Sequence, residues 1–185
     1  MIKCYRHSGL VVNNIKKSEF FYTKLLNFKI LQRLIEKGPY WNKLINDKNT
    51  VVKVIKASLP DKTVLELTEF QNVKRKKITK PRKYSPVGTI HLCFTVKNIN
   101  KLYKKLKKNK VKFLSEPLSS VYDPVKTCFC YDPDFNLIQF VEGGQIKKKI
   151  NYQYLNFLKI FFSLPKNFFL PSPSIIGILA KILVN

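Results

Sequence analysis

Gly88-Thr-Ile-His-Leu-Cys-Phe-Thr-Val-Lys-Asn-Ile-Asn100 sets a histidine on a short apolar strand and follows it with an asparagine suited to capping a helix. The N-terminus carries the same design. His7-Ser-Gly-Leu-Val-Val-Asn-Asn14-Ile15 aligns with His91-Leu-Cys-Phe-Thr-Val-Lys-Asn98-Ile99 at a constant offset of 84 residues. His7 aligns with His91, Val12 with Val96, Asn14 with Asn98 and Ile15 with Ile99. The chain has 2 histidines, and both occupy the same place in this repeat.

Working outward, the two copies continue alike. In the first, residues 4–12 read as a strand with His7, Gly9 and Val11 on one face. Asn13 and Asn14 turn the chain into a helix over about 15–27. Ile15, Tyr22, Leu25 and Leu26 form its apolar side, and Lys16, Lys17 and Lys24 its solvent side. A strand starts at Phe28, residues 36–50 read as a loop or insertion, and strands over 51–57 and 64–70 flank a turn at Pro60-Asp61-Lys62. Val64, Glu66 and Thr68 share a face. In the second copy a strand over 89–96 leads to a helix over 99–108, with Ile99, Leu102, Tyr103 and Leu106 inward and Asn109 ending it at positive φ. Strands follow over 111–114, 125–131 and 137–142, with a loop at 116–124 and a turn at 132–136.

Both copies read β-α-β-β-β. Leu65-Glu66-Leu67 aligns with Ile138-Gln139-Phe140, and Glu69 with Glu142. The expected class is therefore α+β, with two βαβββ modules over about 1–72 and 87–143, a linker over 73–86 and an extension over 144–185.

A chain of 185 residues holds one ordinary domain or two small modules sharing a core. With 45% hydrophobic and 25% charged residues it is globular rather than disordered. The net charge of +24 is nearly all lysine; the arginines are Arg6, Arg33, Arg75 and Arg82. One reading is a compositional bias toward Lys, Asn and Ile on a solvated surface. The other is an anionic partner, such as a membrane, a nucleic acid or a phosphate-bearing substrate. So few arginines disfavour base-specific groove reading, so nucleic acid is not the expected partner. The run Lys74-Arg-Lys-Lys77 reads first as solvated and second as a phosphate contact.

Cys4, Cys93, Cys128 and Cys130 form neither a disulfide framework nor a zinc pattern, which points to reduced, mostly core thiols and a cytoplasmic protein. Lys3, Arg6 and His7 interrupt any signal-peptide run, and no run of 18 apolar residues exists. After Gly143-Gly144 the character changes. Ile150, Tyr154, Phe157, Leu158 and Phe161 share a helical face ahead of Pro165, Pro171 and Pro173. That extension is read as packed on the domain or across a homodimer; the alternative is peripheral attachment to an anionic membrane surface through 146–185.

If the modules face each other about a pseudo-two-fold axis, the first strands bring His7 and His91 together and the last strands supply Glu66 and Gln139. Two imidazole nitrogens, a carboxylate and an amide oxygen suit a divalent transition metal: Ni, Co, Zn, Fe or Mn. Of the four, Glu66 is the one able to act as a catalytic base. Tyr22, Trp41 and Phe94 are pocket candidates, with core packing the expected fate of Phe94.

His7-Ser-Gly-Leu-Val-Val, Lys17-Ser18 to Tyr22, Leu26-Asn-Phe28, Val64-Leu-Glu-Leu67, Gly88-Thr-Ile-His91, Val111 to Pro117 and the turn from Tyr131 to Asn136 together resemble the vicinal oxygen chelate superfamily. That superfamily includes lactoylglutathione lyase (glyoxalase I) and methylmalonyl-CoA epimerase, and the resemblance spans residues 3–143. It implies a half-barrel cleft of the glyoxalase/bleomycin-resistance type, with a metal held by one residue from each of four strands: His7, Glu66, His91 and Gln139. It further implies a small 2-oxo, hemithioacetal or acyl-thioester substrate whose enediolate is stabilised. Two positions depart from the family pattern. Gln139 stands where Glu is usual, and Phe135 where the turn usually has Gly, leaving Asn136 to supply a left-handed residue. A His, Gln, His, Glu set resembling the epimerase arrangement survives, with the halves exchanged.

The leading expectation is a metal-dependent lyase or isomerase. The alternatives are a non-catalytic small-molecule binder of the antibiotic-sequestering kind and, third, a basic membrane-surface protein. Extradiol dioxygenase chemistry ranks lower, because Glu66 lies in the unusual module for it.

Overall fold

The computed structural model describes residues 1–72, 78, 80, 81 and 83–144. The Lys74–Lys77 run and the aromatic stripe beyond residue 145 lie outside the described residues. The first module runs β1 (Ser8–Val11), α1 (Ile15–Glu19) continued as a π-helical segment over Phe20–Leu25, β2 (Lys29–Lys37), α2 (Pro39–Leu44), β3 (Val51–Ser58) and β4 (Val64–Phe70). The second runs β5 (His91–Thr95), α3 (Ile99–Lys108), β6 (Leu118–Ser119), β7 (Val125–Tyr131) and β8 (Leu137–Gly143). Each module is one four-stranded sheet, in the orders β1-β4-β3-β2 and β5-β8-β7-β6. In both, the first strand is an edge strand lying parallel to the last, because the intervening helix carries the chain back to start the remaining strands in the same sheet.

The repeat is exact in register at the positions that matter. Gly9 lies beside Glu66 in the first sheet, and Cys93 beside Gln139 in the second. The helices start alike too. Asn14 Oδ1 accepts from the Lys17 N–H at 3.0 Å, and Asn98 Oδ1 from the Lys101 N–H at 3.0 Å. Glu69 accepts from the Ile15 N–H at 2.7 Å, while Glu142 accepts from the Asn98 N–H and, at 3.2 Å, from the Ile99 N–H. Each carboxylate satisfies orphan donors at the positive end of its helix.

Ile55, Ala57, Leu65 and Leu67 of one sheet and Cys128, Cys130, Ile138 and Phe140 of the other share one buried cluster with Ile15, Tyr22, Leu25, Ile99 and Leu106 of the helices. Side chains alternate along a strand, so Glu66 and Gln139, set between core residues, face away from that cluster. The modules are joined by polar bonds as well. The buried Tyr22 hydroxyl donates to Asp132 Oδ2 at 2.9 Å. Asp134 Oδ1 accepts from the Asn13 backbone and side chain at 3.0 and 2.7 Å, and Asp134 Oδ2 from the Ser18 hydroxyl at 3.2 Å. Burial raises the Asp132 carboxyl above its ordinary pKa, and the donors from Asn136, Tyr22 and Asp134 offset part of that rise.

Several expected elements differ. The first strands are shorter than 4–12 and 89–96, and the first helix takes a π-helical course after Glu19, which apolar spacing does not encode. The strand from Phe28 runs on to Lys37, and the expected loop over 36–50 contains α2, entered through Gly38 at φ +107° with Pro39 in the first helical turn. Residues 111–114 form a single bridge, Phe113 to Cys130, rather than a strand; the edge pairing falls instead to β6 within the expected loop. Asn109 stays at φ −89° because its side-chain amide is bonded to the Lys105 carbonyl at 2.9 Å, and Lys110 takes the left-handed conformation at φ 59°. In the β7–β8 turn Phe135 itself adopts φ 60°. Asn136 is pinned there, donating backbone and side-chain protons to Asp132 at 2.8 and 2.9 Å. Among the described residues, no helix is long and apolar enough to cross a membrane.

Candidate functional site

β1 begins its parallel pairing with β4 at Ser8 and sets Gly9 beside Glu66, so His7, two residues before Gly9, falls on the Glu66 face of the sheet. His7 Nε2 lies 3.8 Å from Glu66 Oε1, and Lys56 Nζ lies 3.5 Å from Glu66 Oε2. Lys56 reaches it because β3 pairs Lys56 directly opposite Glu66. The Glu66 side chain is 18% exposed and that of His7 30%, so both are shielded yet reachable. Two donors bound to one tetrahedral ion at about 2.1 Å each lie roughly 3.4 Å apart. His7 and Glu66 are within a few tenths of an ångström of that spacing.

The second module supplies the matching pair by the same logic. His91 sits opposite Leu137 and Cys93 opposite Gln139, which places His91 and Gln139 on one face of the sheet. Aromatic rings hold the imidazole. Phe129 lies 5.7 Å from it between centroids and Tyr84, from the linker, 5.4 Å. Gln139 Nε2 donates to Thr127 Oγ1 at 3.1 Å. Glu142 lies on the other face and is committed to the start of α3, so it does not stand in for Gln139.

The four expected residues are thus paired two and two. Among the described residues, no three His, Cys, Asp or Glu side chains are gathered closely enough to hold a metal ion, so His91 is not brought up to His7 and Glu66. β1, which follows His7, and β5, which begins at His91, belong to separate sheets and are edge strands among the described residues. The face of β1 that carries Gly9 and meets Glu66 is open, Val11 on it being 58% exposed.

The remaining expectations divide. Tyr22 is fully buried and bonded to Asp132, so it is a core residue and not a pocket wall. Phe94 is half-buried at the margin of the core, packing edge-on against Phe28 at 5.7 Å, and it also lines a cavity. Trp41 stays at the rim of the first sheet, donating its indole proton to Glu36 and meeting Phe70 edge-to-face at 6.0 Å. Cys128 and Cys130 are buried, and burial pushes the Cys128 thiol up to about 11 and Cys130 higher still; Cys4 and Cys93 are exposed. Lys56, Tyr84, Thr127 and Phe129 were not among the expected site residues. Lys56 and Thr127 lie on neighbouring strands, and only the sheet register shows that they reach Glu66 and Gln139.

Two cavities, of about 490 and 460 Å³, lie elsewhere. The repeat relates them, Lys17 and Asn109 to Lys112 lining one where Lys101 and Leu25 to Phe28 line the other, and neither includes His7, Glu66, His91 or Gln139.

A family model described as the glyoxalase/bleomycin resistance protein/dioxygenase superfamily matches residues 5–140. The chain belongs to this superfamily. Solved structures agree on the fold. A glyoxalase family protein from Bacillus cereus superposes with a TM-score of 0.70 at 16% identity, over 77% of this chain and 95% of that one. A glyoxalase/bleomycin resistance protein/dioxygenase domain from Frankia gives 0.56 at 19% identity, over 79% and 96%. The fosfomycin resistance protein FosX from Listeria monocytogenes, solved with Mn(II) and sulfate, gives 0.52 at 14% identity, over 78% and 95%. No curated protein matches the chain. For this superfamily the paired βαβββ modules are the shared architecture, and the two sheets here reproduce it without a closed barrel.

Proposed function

We propose that the chain is a metal-dependent, glyoxalase-like lyase or isomerase whose centre uses His7, Glu66, His91 and Gln139, completed between two copies of the chain. The observation that carries this reading is the 3.8 Å approach of His7 Nε2 to Glu66 Oε1, on strands whose counterparts in the repeat carry His91 and Gln139. The donor types fit a divalent transition metal such as Ni, Co, Zn, Fe or Mn. A homodimer joining the half-site of β1 and β4 to that of β5 and β8 supplies the full set, and the open edges of β1 and β5 leave room for it.

A divalent ion held there would supply Lewis acidity toward the vicinal oxygens of a 2-oxo, hemithioacetal or acyl-thioester substrate. The protein supplies the proton chemistry. Glu66, once loosened from the ion, would take the proton from the carbon next to the carbonyl and return it at the neighbouring position, while Lys56 anchors Oε2. The Lys56 ammonium adds positive charge where negative charge develops on the substrate oxygens.

The test is metal analysis and turnover of the purified protein. We expect close to one ion per chain after loading and desalting, and a loss of activity toward hemithioacetal or thioester substrates of about a hundredfold or more for Glu66→Gln. Full turnover by chelated protein would overturn the reading. The second reading, a non-catalytic small-molecule binder, is favoured by the separation of the two half-sites in one chain. Ligand binding indifferent to chelator and to His7→Ala would support it.

A further inference from the structure

We propose that Thr127 is a positioning residue that locks the Gln139 amide with its oxygen outward, so that the site is built for an amide rather than for a carboxylate at that position. This rests on the reading of Gln139 as a ligand. A hydroxyl has one proton. The Thr127 hydroxyl spends it on the Phe140 carbonyl, which can only accept, at 2.9 Å. Toward Gln139 at 3.1 Å, Thr127 Oγ1 can therefore only accept, and the group facing it must be the amide NH2. The orientation of the amide follows from the network.

The direction follows from the sheet. β7, which carries Thr127, flanks β8 on one side, and β5, which carries His91, flanks it on the other. An amide with its nitrogen turned to β7 presents Oε1 away from β7, free of that bond. A glutamate at 139 would set a carboxylate oxygen against an oxygen whose proton is already committed. Gln139, which departs from the usual residue of the family, thus has a dedicated partner on the neighbouring strand.

Two measurements on the full chain test this. Mn(II) affinity, read by electron paramagnetic resonance, is expected to fall about ten- to a hundredfold in Thr127→Val and to be kept in Thr127→Ser, the range seen when a residue orienting a metal ligand is removed. In metal-free protein, hydrogen exchange of the Gln139 side-chain amide by NMR is expected to be slowed in the native chain and in Thr127→Ser and fast in Thr127→Val. Unchanged affinity in Thr127→Val, or an unprotected amide in the native chain, would overturn the proposal. Failure of the native chain to hold Mn(II) while its amide remains protected would instead remove the metal reading on which the proposal rests.

Discussion

Asp132 accepts four hydrogen bonds in a buried turn. Asp134 N and Asn136 N reach Oδ1 at 2.9 and 2.8 Å, and the Tyr22 hydroxyl and Asn136 Nδ2 reach Oδ2 at 2.9 Å each. In Asp132→Asn one oxygen becomes an NH2, and two of those four donors lose their acceptor. A cost of about 1–3 kcal/mol is expected, measured by urea unfolding. Its pH dependence has a definite sign. Burial raises the folded-state pKa above the unfolded one, so the contribution of Asp132 is fullest below the unfolded value and is lost as pH rises through the folded value. The cost of Asp132→Asn should therefore be larger near pH 4 than at pH 7; a smaller cost at pH 4 would contradict the assignment. None of this is written in the sequence, where Asp132-Pro-Asp-Phe-Asn136 reads as an ordinary turn. Tyr22 was legible as part of an apolar helix face, but its polar partner lies 110 residues away and needs the tertiary structure.

The elements were legible where one local signal decides them. α3 begins and ends at Ile99 and Lys108 as its capping asparagine and apolar spacing predict, and β4 and β7 cover the expected alternating runs 64–70 and 125–131. Legibility fails where pairing across the sheet decides. The run 111–114 has strand-like composition but makes one bridge, and β6 forms where β7 offers an edge to Leu118 and Ser119. The alignment of Glu69 with Glu142 is visible in the sequence, and its physical reason is the capping of α1 and α3. Glu142→Ala is expected to destabilise the fold by about 1 kcal/mol through the start of α3, the magnitude of a lost cap, without changing Mn(II) affinity. A large loss of metal with little loss of stability would show that Glu142 serves the site instead.

Across the whole molecule, the internal repeat is what made the candidate site readable. It related His7 to His91 and Glu66 to Gln139, and the sheet registers place each pair equivalently. What it could not give was the distance between the pairs, because edge strands β1 and β5 carry no hydrogen-bonding instruction toward each other within one chain. The consequence is testable by mixing two variants, each of which spoils a different half. His7→Ala and His91→Ala should each lose tight Mn(II) binding. When the two are unfolded together and refolded, a symmetric two-chain site predicts that about one quarter of the native binding capacity returns, since random pairing makes half of the dimers mixed and each of those regains one intact centre of two. No recovery on mixing, with the native chain binding Mn(II) fully, would place the whole centre within a single chain, and a native chain that binds none would contradict the metal centre altogether.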